Sequence, residues 1–326
     1  MSDLQSSTTL LELSGVSVLF TTESGDIPVI EQVSFKLKKG ETLGIVGESG
    51  CGKSMTALAI LGLIASPPLK KVEGEILWKE ENLIALSSKK LRKIRGKSIS
   101  MIFQEPMSAL NPVLPVGSQI DEVLREHTTM AKSNRHERIL ELLQQVGIPD
   151  PAHRFKAYPH ELSGGMRQRV MIAMALACSP ELLIADEPTT ALDVTTQAQI
   201  LELLKTLRTS YGMSMLFISH DLEVVGYLAD HVVVMYAGEV VESLSVEQLF
   251  SDPAHPYTRA LCESRIEFSK KEQVFASIPG NVPALNERPS GCRFHPRCAS
   301  RKAICRTEHP PEVCLSEGHM VQCFLY

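Results

Sequence analysis

The chain has 326 residues, 22% of them charged, with 33 Lys and Arg against 38 Asp and Glu for a formal net charge of -5. That length admits one large α/β core plus an appendage, and the charge balance supplies no global basic field for neutralising phosphates, so nucleic acid is not an expected partner. No apolar run approaches the roughly 18 residues of a spanning helix, and the opening MSDLQSSTTL lacks the basic-then-apolar pattern of a secretory signal; both point to the cytoplasm.

Near the start, Leu11, Leu13, Val16 and Val18 alternate with polar residues, the chain turns at Gly25-Asp26, and Val33, Phe35 and Leu37 resume the alternation, which predicts a β-hairpin. After a turn at Lys39-Gly40, the apolar run Thr42 to Val46 predicts a buried strand. GESGCGKS follows at once, then a helical pattern through Leu58, Leu61 and Ile64 that Pro67-Pro68 ends. Gly74 to Trp78 and Ile99 to Phe103 read as further strands. Between Val116 and Val146 the apolar spacing turns helical, with Ile120, Val123, Leu124, Ile139, Leu142 and Leu143 on the inner faces, as in a helical insertion. Helices Gly165 to Ala177 and Thr195 to Thr209 then alternate with strands Leu182 to Ala185, Met215 to Ser219 and Val232 to Met235, implying a mostly parallel sheet. Beyond about Ser251 the regularity fades into a Pro-, His-, Arg- and Cys-rich stretch, read as a separate appendage with little secondary structure.

Gly47, Glu48, Ser49, Gly50, Cys51, Gly52, Lys53 and Ser54 fit the phosphate-loop pattern, in which glycines let backbone N–H groups converge on phosphate oxygens at a helix N-terminus. Lys53 is placed to reach the β- and γ-phosphates and Ser54 to offer its hydroxyl to Mg²⁺; by itself the loop implies only a nucleoside triphosphate. Cys51 is a small residue tolerated where its N–H binds, rather than a redox sensor. The strand Leu182 to Ala185 ends in Asp186 and Glu187, at the sheet edge where ligands of open α/β folds bind. Asp186 is the candidate Mg²⁺ holder and Glu187 the candidate base for the attacking water. Between the insertion and this strand lies Leu162-Ser163-Gly164-Gly165-Met166.

LSGG between a phosphate loop and an acidic strand end resembles the signature of ABC ATPases. The fold implied is a P-loop NTPase cassette: a RecA-like α/β core with an antiparallel β subdomain and a helical subdomain at about 106–165, the whole spanning 1–250, followed by an irregular cysteine-rich extension at 251–326. The resemblance implies that Ser163, Gly164 and Gly165 serve the phosphates of a partner subunit, so that ATP is sandwiched between two chains. It implies that Gln104 contacts Mg²⁺ and the attacking water, that Asp193 lies in a loop crossing the dimer interface, and that His220 is the switch histidine at the γ-phosphate. Phe20 is either the aromatic that stacks on adenine or a core residue. Glu105 stands where an aspartate is common and Met166 where a glutamine is common; neither change removes a ligand.

The resemblance is closest to the ATPase subunits of dipeptide and oligopeptide importers, through MIFQEPMSALNP, YPHELSGGMRQRVMIAMALA, HPYTRAL and GCRFHPRC. It implies a second ATPase subunit, often a different chain, two transmembrane permeases, an extracytoplasmic solute-binding protein, and a place on the cytoplasmic face of the bacterial inner membrane. ATPases of nickel-chelate or other small-solute importers look alike at this level, and a non-transport ABC ATPase is the competing class. The transported solute is not legible.

Of eight cysteines, Cys51, Cys178 and Cys262 are scattered, while Cys292, Cys298, Cys305, Cys314 and Cys323 crowd the end of the chain. Four thiolates can hold an iron-sulfur cluster or tetrahedral zinc, and this spacing does not decide between them. The resemblance to the tail of peptide-importer ATPases points to a 4Fe-4S cluster on Cys292, Cys298, Cys305 and Cys323, with Cys314 able to replace Cys323.

Overall fold

The computed structural model describes residues 8–23, 25–105, 109–190, 192–266 and 278–326. The chain divides into two compact units, one of Met1–Ala85 with Ile218–Tyr326 and the other of Leu86–Phe217.

In the first unit the expected hairpin forms. Strand Thr9–Thr22 pairs antiparallel with Gly25–Lys38 on one side and Leu69–Trp78 on the other, with short Glu81–Asn82 at the far edge. The period-two pattern sets the register: Leu11 faces Leu37, Leu13 faces Phe35 and Val16 faces Val33, all buried. A second set of strands is built on Thr42–Val46, all five residues of which are buried, as suits a strand covered on both faces. It runs parallel to His231–Tyr236, which pairs antiparallel with Glu239–Ser245. Helix Lys53–Leu61 follows the glycine loop and stops at Gly62, which is left-handed and donates its N–H to the Ala59 carbonyl. The apolar pattern read through Ile64 therefore overshoots, because a glycine cap ends the helix inside an apolar run.

The expectation of a nearly structureless tail needs correction. Pro256–Ile266 is a helix, and Glu312–Ser316 and His319–Gln322 form a hairpin whose second strand pairs antiparallel with Glu239–Ser245. The tail is fastened by a carboxylate with almost no access to water. Glu242 accepts the backbone N–H groups of Ala254 and His255 at 2.7 and 3.0 Å, and lies 2.8 Å from His319 Nε2.

In the second unit, strand Ile99–Ile102 pairs parallel with Leu182–Asp186, Ile99 opposite Leu182. Helices Val116–His127, Lys132–Gln145 and Gly164–Leu176 bury Ile120, Leu124, Ile139, Leu142 and Leu143, while Val123 is only partly covered. Buried Gln119 pins the entry to the first of these helices. It accepts the Asn111 N–H at 2.9 Å and donates to the carbonyls of Asn111 and Leu114. No helix among the described residues is long and apolar enough to cross a membrane.

Candidate functional site

The phosphate-loop residues Gly47 to Ser54 lie between the buried strand Thr42–Val46 and helix Lys53–Leu61, as the sequence requires. The glycines are there for geometry: Gly47 has φ +152°, and a Cβ on it would sit 2.2 Å from the Met235 carbonyl oxygen and 2.7 Å from Cys51 Sγ. Gly52 is the left-handed N-cap, and no side chain caps this helix start, so its first-turn N–H groups are not taken up by a capping residue. Lys53 is buried and folds back over the loop, donating to the carbonyls of Gly47 at 2.8 Å and Glu48 at 3.1 Å. Those two oxygens fix its ammonium at the loop mouth, beside the exposed Ser49 and Gly50 and half-buried Ser54. Cys51 is fully buried, and burial pushes its thiol pKa up, the opposite of a reactive thiolate.

Asp186 ends strand Leu182–Asp186 as a buried carboxylate, and Glu187 follows in a left-handed conformation with φ +44°. That uncommon backbone turns its side chain out of the alternation of the strand. Glu187 Oε2 accepts from Gln104 Nε2 at 3.1 Å and from Thr190 Oγ1 at 2.9 Å. Two candidates read separately from the sequence, Gln104 and Glu187, thus meet directly. For Thr190 the sequence offers only the Thr-Thr pair after Asp186-Glu187-Pro188. The fixed carboxylate is suited to orient a water and accept its proton.

Ser163 is the N-cap of helix Gly164–Leu176, its Oγ accepting the Met166 N–H at 3.3 Å. Ser163 and Gly164 are exposed. Gly165 packs against the next helix so closely that a Cβ would come within 2.8 Å of Thr196 Cγ2. Thr196 also donates its N–H and hydroxyl to Asp193 at 2.9 and 2.7 Å, and these bonds hold the Asp193 carboxyl below the usual carboxylate range. Asp193 caps helix Val194–Tyr211. The signature glycines and Asp193 therefore share one surface, joined by Thr196, which no motif in the sequence marks.

The remaining candidates belong to the first unit. His220 is exposed directly after strand Ser214–Ser219, where Ser219 Oγ accepts the Asp221 N–H at 2.9 Å. Phe20 is half-buried near the hairpin end, opposite Ile27 and Leu69. The partner strand of that hairpin reaches the phosphate loop at Ile30, which blocks any side chain at Gly52.

In the same unit Cys292, Cys298, Cys305 and Cys323 line one hollow, together with Phe294 and Lys302. All four are free thiols, and burial pushes the pKa of Cys292 up to about 11, with Cys298 and Cys323 also raised by burial. The Cys292 N–H donates to the Cys305 carbonyl at 2.9 Å, tying the two walls of the hollow together. Cys314 is outside it, exposed on the edge strand with its Sγ donating to the Ser316 carbonyl at 3.3 Å. Among the described residues, no three or more His, Cys, Asp or Glu form a group placed to hold a metal ion.

The ABC transporter family pattern matches residues 30–190, and the pattern of the oligopeptide/dipeptide transporter C-terminal region matches residues 241–305. The oligopeptide transport ATP-binding protein OppD of Bacillus subtilis (strain 168) is 50% identical over 320 residues, covering 98% of this chain and 89% of its own. The dipeptide transport ATP-binding protein DppD of Escherichia coli (strain K12) is 48% identical over 314 residues, 96% of both chains. Among solved structures, the dimeric post-hydrolysis state of the ATP-binding cassette MJ0796 bound to ADP and Pi is 30% identical with a TM-score of 0.65, covering 72% of this chain and 98% of that one. The fold is that of an ABC cassette, and with identity near one half along almost its entire length the chain belongs to the family of dipeptide and oligopeptide ABC transporter ATP-binding proteins.

Proposed function

We propose that the chain is the ATP-hydrolysing subunit of an ABC importer that powers uptake of dipeptides or oligopeptides. The observation that carries the reading is Glu187, held by Gln104 and Thr190 at the acidic end of an apolar strand in a chain that also carries a complete phosphate loop. Lys53, Ser54 and the loop N–H groups bind MgATP, with Asp186 and Gln104 on the metal. Glu187 activates the water, and His220 senses the γ-phosphate. Phe20 supports the adenine. Ser163, Gly164, Gly165 and Asp193 face the ATP of a second ATPase subunit, a different chain in our reading. Two permeases and an extracytoplasmic solute-binding protein complete the importer, with this subunit peripheral on the cytoplasmic face of the inner membrane. The cassette comprises 1–250, with its helical subdomain at about 106–165, and 251–326 is the importer-type extension.

We further propose that Cys292, Cys298, Cys305 and Cys323 hold a 4Fe-4S cluster, which would cross-link a segment poor in regular structure. Support comes from the fit of the thiols present: four line one hollow, none is in a disulfide, and Cys314 lies elsewhere. The reading is tested on anaerobically purified protein, which should be brown with stoichiometric iron and sulfide. Cys298→Ala should lose the iron and Cys314→Ala keep it. Colourless, zinc-containing protein, or iron loading that follows Cys314 rather than Cys323, overturns the assignment.

A further inference from the structure

One side chain runs from the wall of the cysteine hollow to the phosphate loop. Arg297 immediately precedes Cys298, and its side chain is 6% exposed. Its guanidinium grips Glu48 with two parallel bonds, Nη1 to Oε2 at 2.6 Å and Nη2 to Oε1 at 3.0 Å. Its Nε donates to the Pro279 carbonyl at 2.8 Å, and its plane lies over Tyr236 and Phe294, 5.7 and 6.0 Å from the ring centroids. Glu48 is held a second time, because its N–H donates to the Tyr257 hydroxyl at 2.9 Å. Tyr257 is fully buried and packs on Tyr236 and Phe294, so both anchors of Glu48 stand on one aromatic cluster.

Glu48 is the second residue of the loop, and its carbonyl is one of the two that seat the Lys53 ammonium. A displaced Glu48 would carry that carbonyl with it. Its carboxylate also puts a negative charge beside a loop shaped for a triphosphate, and a buried, bidentate guanidinium is the partner that offsets such a charge most fully. The grip joins residues 249 positions apart, so no local pattern requires it. We infer that Arg297 is a positioning residue for ATP binding: it fixes the first half of the phosphate loop and neutralises Glu48, so that nucleotide affinity depends on how the 292–298 segment is seated. This rests on the phosphate loop being the ATP site.

The test is MgATP affinity by fluorescent-nucleotide displacement on the full chain, with KM and kcat of the assembled transporter, for wild type, Arg297→Ala, Arg297→Lys, Glu48→Gln and Arg297→Ala with Glu48→Gln. Loss of a charged bidentate contact should raise Kd and KM for ATP in Arg297→Ala by roughly tenfold or more, with kcat at saturating ATP much less affected. Arg297→Lys, which keeps the charge and the fold but not the fork, should fall between wild type and Arg297→Ala. Removing the Glu48 charge in the Arg297→Ala background should recover most of the lost affinity. Unchanged affinity in both folded Arg297 variants overturns the inference, as does a double variant no better than Arg297→Ala. Wild-type protein that fails to bind MgATP would instead sink the ATP-site reading, leaving the two failures distinguishable.

Discussion

Replacing Glu187 by glutamine should separate catalysis from binding and from folding. In the structure Glu187 Oε2 accepts from Gln104 Nε2 and Thr190 Oγ1. A glutamine carbonyl can accept the same two bonds at the same backbone conformation, so stability should change by less than about 1 kcal/mol, within the range of ordinary partly exposed substitutions. What is lost is the basic, charged oxygen proposed to take the proton of the attacking water. General-base catalysis is worth roughly 10²- to 10⁴-fold, or about 2.7 to 5.4 kcal/mol of barrier at 1.36 kcal/mol per decade. In the proposed site MgATP is held chiefly by the phosphate loop rather than by Glu187, so its Kd should stay within about threefold, the loss falling almost wholly on kcat. The assay is steady-state ATP hydrolysis by the assembled transporter beside nucleotide affinity and thermal denaturation of the same variant. Turnover above about one tenth of that of the wild-type chain, measured with binding intact in a complex whose partner ATPase is inactivated, would refute the assignment of Glu187 as the base.

Lys53→Ala should act on the other parameter, weakening MgATP binding by roughly 10- to 150-fold, the range for removing a charged hydrogen-bonding group, as measured by nucleotide titration. Ser163→Arg should leave MgATP binding to the chain itself unchanged but prevent ATP-driven closure on the partner subunit. The lost cap should cost about 0.5 to 2 kcal/mol of stability, read by crosslinking across the dimer and by denaturant unfolding. Burial, with Lys38 and His319 nearby, lowers the His231 pKa from 6.5 to about 4. The unfolded chain therefore binds a proton between those values that the folded chain refuses, and stability falls as pH drops from 6.5 towards 4. His231→Gln should flatten that part of the stability profile in denaturant titrations at stepped pH.

Where geometry leaves one residue type, the sequence is most readable. Gly47 has no room for a Cβ beside Met235, so the phosphate loop carries its conformation in its glycines. The five buried residues Thr42–Val46 and the alternating hairpin partners announce themselves through burial in the same way. Contacts between distant segments leave no such mark. Thr190 gives no hint that it holds Glu187, nor Arg297 that it grips Glu48. Hairpin Glu312–Ser316 with His319–Gln322 is not legible because its strands are short, the first is mostly exposed, and they are defined by pairing on Glu239–Ser245 rather than by their own pattern. Helix Leu222–Leu228 is two turns long and was likewise passed over, its Asp221 cap being the one local cue. The cysteines and the family resemblance of the tail are legible in the sequence, but only the fold separates Cys314 from the four that share a hollow.

The most direct test of the account is ATP hydrolysis by this chain reconstituted in proteoliposomes with its permeases, partner ATPase and solute-binding protein. A dipeptide and oligopeptide mixture is compared with nickel chelates and with no solute. The account predicts that peptide-loaded binding protein stimulates hydrolysis and drives peptide into the lumen, and that Glu187→Gln abolishes both. Hydrolysis indifferent to peptide, or uptake that persists with Glu187→Gln in a complex whose partner ATPase is also inactivated, would contradict it.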